Sequence, residues 1–136
     1  NGVLISGASF AWLGADGGSN TVRSIVGSWD IDLGHNQVQK SSLYALSKTI
    51  TFTANFGAAY ANRSGVMRVT GNSTAAGRLT RITVGASTAD LSTSAAGVQV
   101  VELPFTLDAA GAITFTAAPQ APSTYANVSG VELVFA

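Results

Sequence analysis

The sequence predicts an all-β chain folded as a single-domain β-sandwich of jelly-roll type, with about eight to nine strands. Three observations predict it. Apolar and polar residues alternate with a period of two through most of the chain, the pattern of strands with one buried face. Residues tolerant of positive φ punctuate the runs, at Asp16-Gly17-Gly18, Leu33-Gly34-His35-Asn36, Gly71-Asn72 and Ala110-Gly111, at roughly the 8–12-residue spacing of all-β domains. No segment carries an apolar stripe of helical period with caps at its ends.

Taken in order, the first run is Val3-Leu4-Ile5, continuing to Phe10-Ala11-Trp12-Leu13, apolar on both parities. It reads as an internal strand buried on both faces or as a strand donated to a neighbouring subunit's sheet. Trp29, Ile31 and Leu33 then alternate with Asp30 and Asp32, which assigns Trp29 to the core. In 39–47 only Leu43 and Leu46 stand three apart, so the segment reads as a single turn or loop. Ile50, Phe52, Ala54 and Phe56 alternate with Thr51, Thr53 and Asn55, a strand with one wet face. Segments 66–70 and 79–84 add two more. Small residues dominate 85–97, which reads as a long surface loop. The run 98–107 changes phase between Val100 and Val101; a bulge there lets both apolar sets face the core. Pro104 within it marks an edge strand or the bulge itself. Ile113, Phe115 and Ala117 alternate with Thr114 and Thr116. The chain closes with a short polar turn and a last strand, in which Val131, Leu133 and Phe135 point one way and Glu132 the other.

A length of 136 residues buries about 68% of the unfolded chain's surface, enough for one self-sufficient core. No linker or fixed-period repeat divides residues 1–136, so they form one domain. Charged residues are 10% of the chain, against about 25% in typical domains; Ala, Gly, Ser and Thr fill the difference. Seven basic and seven acidic residues cancel. Nucleic-acid binders carry a basic excess on one face, so nucleic acid is excluded as a partner. Arg63, Arg68, Arg78 and Arg81 read as a solvated face. No apolar run approaches the roughly 20 residues of a membrane span. There is no cysteine, hence no disulfide framework or thiolate metal site, and a domain of this size needs none to be secreted. The start at Asn1-Gly2 reads as a processed product or an excised domain, and the expected location is secreted or extracellular. Asn62-Arg63-Ser64, Asn72-Ser73-Thr74 and Asn127-Val128-Ser129 are sequons, used only in a eukaryotic secretory route.

Catalysis finds little support. The sole histidine, His35, lies in a turn, and no Gly-x-Ser-x-Gly elbow presents a nucleophile. Seven acids scattered over turns and outer strand faces do not make the facing carboxylate pair of a glycosidase, so no enzyme is expected. No cofactor is required. Calcium is the one metal left open, with Asp16, Asp30 and Asp32 as candidate oxygen ligands; Asp90 and Asp108 lie in later loops. Sugar binding asks for aromatic platforms against C–H faces and planar polar groups for the hydroxyl rim. Trp12, just before the Gly14–Ser19 turn, is expected to project from a loop. Tyr60 stands with Asn62 and Arg63, and Tyr125 precedes Asn127 in a Pro/Ser-containing turn. These six are the candidate ligand-binding residues, and the reading requires Tyr60, Tyr125 and Asn127 to share one rim.

The segments Gly27-Ser28-Trp29-Asp30-Ile31, 49–56 and 127–135 together resemble the galactose-binding-like jelly roll of carbohydrate-binding modules, families 6 and 35 and malectin-type domains in particular. Those families open an early strand with a Gly-Asp-Trp-like segment and close with a loop Asn before a short strand carrying an acidic residue. The resemblance implies that Asn127 hydrogen-bonds a sugar hydroxyl at the loop end. The chain departs from the pattern in two places. Val3-Leu4-Ile5-Ser6 replaces the Glu-rich calcium-ligating segment, and Ala95-Ala96-Gly97 stands where a tryptophan is expected.

Two functions follow. The first is a non-catalytic carbohydrate-binding module that recognises a polysaccharide or glycan. The alternative is a structural subunit of an extracellular filament or virion, self-associating by sandwich packing and N-terminal strand donation.

Overall fold

In a computed structural model the residues described are 9–14, 22–26, 41–73, 77–93 and 97–136. At 9–14, 22–26, 41–46, 72–73, 93 and 97–98 the backbone alone is described. The strands are β1 Ser9–Gly14, β2 Val22–Val26, β3 Ser41–Leu46, β4 Ile50–Asn55, β5 Ser64–Ser73, β6 Arg78–Val84, β7 Ser87–Thr93, β8 Gly97–Thr106, β9 Ala112–Pro119, β10 Tyr125–Val128 and β11 Gly130–Phe135. A 3-10 turn, Ala58–Tyr60, follows β4. No helix among the described residues is long and apolar enough to cross a membrane.

One layer is a five-stranded antiparallel sheet in the order β1-β4-β9-β6-β7. The other is built from two three-stranded groups, β10-β3-β2 and β11-β5-β8. Ser129 alone separates β10 from β11, and its N–H donates to the Thr70 carbonyl at 2.7 Å. The run 125–135 therefore serves both groups, with β10 paired to β3 and β11 paired to β5.

The core lies between the layers. Ile50, Phe52 and Ala54 of β4 meet Ile113, Phe115 and Ala117 of β9 in register. The Phe52 and Phe115 rings stack at 4.7 Å, worth about 0.5–1.5 kcal/mol beyond the area they bury. Met67 and Val69 of β5 and Leu103 and Phe105 of β8 close the core from the other layer. On the outer face of β4 and β9, exposed Thr53 and Thr114 bring their hydroxyls to 3.3 Å.

Several expectations from the sequence change here. The segment 39–47 contains β3, a strand rather than a turn or loop, because β2 and β10 flank it on both sides. The surface loop expected over 85–97 contains β7, paired with β6 from Val84↔Ser87 to Arg78↔Thr93. Leu91 of β7 is only 1% exposed, so a single large residue among small ones anchors that strand. No bulge interrupts β8: its register with β5 runs without a break from Ser64↔Thr106 to Ser73↔Gly97. Val101, Leu103 and Phe105 face inward, while Val100 is 53% exposed. Pro104 does lie on an edge strand of its group, the place where a missing N–H costs nothing. The last strand follows the expected alternation, with Val131, Leu133 and Phe135 packed against the core and Glu132 exposed. Residues 10–13 pair in cis with β4, so this part of the apolar N-terminal run fills its own sheet. Val3-Leu4-Ile5, the Trp29–Leu33 alternation and the Asp16, Asp30, Asp32 and His35 positions lie outside the described residues.

Candidate functional site

The strand registers define two ends of the sandwich. At one end lie Asn55, Ala112, Val84, Ser64, Thr106 and Phe135; at the other lie Ile50, Arg78, Ser73, Gly97 and Tyr125. The second end is tied together where the Ser47 N–H donates to the Thr124 carbonyl.

At the Phe135 end, the chain leaves β4 through a turn built by short-range hydrogen bonds. Asn55 Oδ1 accepts the Gly57 N–H at 2.8 Å. The Tyr60, Ala61 and Arg63 amides donate to the Gly57, Ala58 and Tyr60 carbonyls in turn. Asn62 sits at φ +59°, a left-handed conformation that Asn tolerates better than most residues. Its N–H reaches the Asp108 carbonyl at 3.2 Å. The Asp108 carboxylate is occupied in turn, accepting the Ala110 and Ala112 amides at 2.8 Å each. The 108–112 loop presses against the turn: a Cβ on Gly111, at φ +76°, would fall 1.9 Å from the Gly57 oxygen.

This frame holds three of the candidate residues together. The half-buried Tyr60 ring leans on Phe56 and Phe135, at centroid distances of 6.0 and 5.7 Å. Phe135 also meets Phe56 and Phe105 edge-on, at 5.4 and 5.5 Å. The Arg63 guanidinium lies 5.0 Å from the Tyr60 centroid, within cation–π reach. Asn62 and Arg63 are both exposed. The turn thus offers an anchored aromatic, a guanidinium and an amide to solvent within four residues.

The other end carries a second arginine–tyrosine stack, with the Arg78 guanidinium 4.3 Å from the Tyr125 centroid. Tyr125 is the first residue of β10 rather than part of a turn. Asn127 lies within β10 and is 2% exposed. Its N–H donates across the layers to Thr80 Oγ1 at 2.9 Å. The loop position and sugar hydrogen bond that the resemblance implied for Asn127 do not match this placement: the side chain is inside the sandwich. Trp12 is likewise on a strand, at the register position of Phe52, and does not extend from a loop.

The six candidates therefore do not share one rim, so the single-rim site expected from the sequence is overturned and a glycan reading can rest only on the residues gathered at one end. Tyr60, Asn62 and Arg63 gather at the Phe135 end, Tyr125 and Asn127 stand at the opposite end, and Trp12 belongs to the five-stranded sheet. The eleven residues from Tyr125 to Phe135 span roughly 30 Å of extended chain. Arg78, which the sequence placed on a solvated face, is the residue missed at the Tyr125 end; only the fold brings position 78 to position 125.

The remaining described carboxylates are engaged on strand faces. Arg81 grips Asp90 in a two-pronged pair at 2.7 and 2.8 Å. Hydrogen bonding to Arg81 holds the Asp90 carboxyl below its ordinary range, and the pairing raises the Arg81 guanidinium. Arg68 bridges Glu102 at 2.7 Å and Glu132 at 3.4 Å, and its hydrogen bond to Glu102 is the main reason its own pKa is raised. Among the described residues no three His, Cys, Asp or Glu side chains come together as a metal site would require.

The sequence matches no family model and no curated protein. Solved structures do match. A family 35 carbohydrate-binding module from Clostridium thermocellum is 15% identical, with a TM-score of 0.52 over 94% of this chain and 99% of that one. A family 36 module, solved with calcium and xylotriose, is 18% identical, with a TM-score of 0.52 over 91% and 99%. The exo-β-1,3-galactanase of Phanerochaete chrysosporium, solved with β-1,3-galactotriose, is 18% identical with a TM-score of 0.56 over 93% of this chain. The match spans only 29% of that enzyme. At such identities the likeness is one of fold: the chain has the galactose-binding-like jelly roll seen in family 35 and 36 modules.

Proposed function

We propose that this chain is a non-catalytic, extracellular carbohydrate-binding module that meets a polysaccharide or glycan through the turn carrying Tyr60, Asn62 and Arg63. One observation carries the reading: these three side chains are brought together on a hydrogen-bonded turn at one end of a jelly roll. A pyranose presents C–H faces to an aromatic edge and hydroxyls to planar donors and acceptors. Tyr60 and the flat Arg63 guanidinium above it supply the first surface; the Asn62 amide and the Arg63 N–H groups supply the second. The fold likeness supports the same class of ligand, since xylotriose and β-1,3-galactotriose occur in the neighbouring structures. A surface with few charges suits neutral polymers. Among the described residues, the acidic side chains Asp90, Glu102, Asp108 and Glu132 are all engaged with arginines or backbone amides, in keeping with the non-catalytic reading.

Affinity electrophoresis against plant, algal and bacterial polysaccharides tests the proposal, followed by calorimetry on whichever polymer retards the chain. Retardation on at least one polymer is expected. Tyr60→Ala and the exposed-site variant Arg63→Ala should each weaken binding about tenfold or more, equivalent to about 1.4 kcal/mol. Free migration through every polymer, or full affinity in both variants while they remain folded, would overturn it.

A further inference from the structure

A cleft of about 480 Å3 opens at the Phe135 end, along the seam between the two layers. Its size falls within the range of small-ligand sites. One wall is the two-residue turn joining β6 to β7. Val84 and Ser87 pair across this hairpin, and Gly85 takes φ +55°, as a tight turn with a left-handed first residue requires. Beyond the Gly85 Cα the space is open: a Cβ there would meet nothing within 4 Å. The facing wall is the paired start of β5 and end of β8, where Ser64 Oγ and Thr106 Oγ1 lie 2.8 Å apart. Gly65 keeps that wall thin, since a Cβ on it would fall 2.1 Å from the Val134 oxygen and 3.0 Å from the Phe105 ring. Both walls are ladder-bonded strand ends, so the cleft is formed before any ligand arrives and little ordering cost attends its filling.

The chemistry of the lining selects the occupant. Among the described residues none that lines it is ionisable, so they offer an ion no charged partner. Val84 and Phe105, each 5% exposed, make an apolar floor. Ser64, Ser87 and Thr106 place three hydroxyls around it. The Ser64–Thr106 pair consumes one hydroxyl hydrogen between them and leaves the other, with several lone pairs, for a ligand. A wholly apolar ligand would strand these groups at a cost; a ring with C–H faces and a hydroxyl rim would not. Arg63, at the edge of the Tyr60 turn, is followed in the chain by Ser64 of the cleft wall.

We infer that this cleft is a second sugar subsite, taking one neutral pyranose unit, beside the Tyr60 turn. The inference rests on the glycan reading and narrows it: the ligand has an uncharged sugar unit and gains affinity with chain length. The test is a titration of the isotopically labelled whole chain, followed by backbone amide NMR, with galactose, xylose, β-1,3-galactotriose and xylotriose as probes. Amides of Gly85, Ala86, Ser87 and Thr106 should shift and saturate with at least one probe. Its trisaccharide should bind at least tenfold tighter than its monosaccharide. Ala86→Trp, which fills the cleft from an exposed turn, should abolish those shifts, and Thr106→Val should weaken them. Shifts confined to residues 58–63 would overturn the cleft and leave the glycan reading standing. Shifts confined to the cleft would keep the subsite and remove the Tyr60 turn. Silence from both regions with all four sugars would sink both.

Discussion

Asn62 and Asn127 head two of the three sequons and both stood among the expected sugar ligands, yet the fold treats them in opposite ways. Asn62 is exposed in a left-handed turn residue, with Ser64 exposed two positions on. Asn127 is enclosed in β10, its backbone N–H donated to Thr80 Oγ1 and its side chain buried with it. Glycan transfer requires an accessible asparagine on a surface segment. When the chain is secreted from a eukaryotic host, Asn62 should carry a glycosidase-sensitive mass and Asn127 should carry none. Peptide mass spectrometry after enzymatic deglycosylation decides this, and Asn62→Gln should remove the modification. A modified Asn127 would contradict its burial in the native fold. The two residues have the same local signature in sequence; what separates them is the neighbouring strand, which no local pattern encodes.

At the scale of an element, β6 and β7 show how polar residues mark a strand that apolar periodicity overlooks. Arg81 and Asp90 are directly opposed in the register and joined by two short hydrogen bonds. The pair lowers the Asp90 carboxyl from its ordinary value of 3.8. A folded-state value below the unfolded one means that the pair contributes stability above that ordinary value. The contribution is lost as pH falls through the depressed one. Both side chains are more than a third exposed, so the contribution is small. Asp90→Asn should leave a chain whose denaturant midpoint falls less steeply below pH 3.8 than that of the native chain, with the two curves parallel at neutral pH. Urea titrations across the acid range read this directly; parallel curves throughout would show that the pair is not formed. The hairpin is hidden in sequence because Ala, Ser and Thr dominate β7, and Leu91 is the one large apolar residue it buries, beside the small Ala89. In β8 the opposite error arose. Adjacent Val100 and Val101 looked like a phase change, but an exposed valine on an edge strand needs no bulge to explain it.

Across the whole molecule, the separation of the two ends has a functional consequence. Each end presents an arginine over a tyrosine, Arg63 over Tyr60 and Arg78 over Tyr125, and the 125–135 run sets them roughly 30 Å apart. A glycan unit held at one end does not touch the other. Tyr125→Ala should therefore leave affinity for a trisaccharide within about twofold of the native chain, while Tyr60→Ala lowers it. Calorimetry on the two variants side by side makes the comparison, and an equal loss from both would show that the ends act together.

The sequence by itself determined the all-β class, strands over 50–56, 66–70, 79–84, 98–107, 113–117 and 131–135, and the inward set Phe52, Phe115 and Phe135; the turn it placed at Gly71-Asn72 is overturned, because both residues pair with β8 inside β5. It also grouped Tyr60, Asn62 and Arg63, because four residues on one turn are neighbours however the rest folds. Period-two alternation is local, and it decides which face of a strand is buried. Only the tertiary structure decided which strands are adjacent and which loops share an end. That choice is made by pairing between distant segments, as where Arg68 meets Glu132 across 64 positions. It moved Asn127 inside, set Tyr125 beside Arg78, and assembled a hydroxyl-lined cleft from Ser64, Ser87 and Thr106, whose positions in the chain say nothing of their meeting.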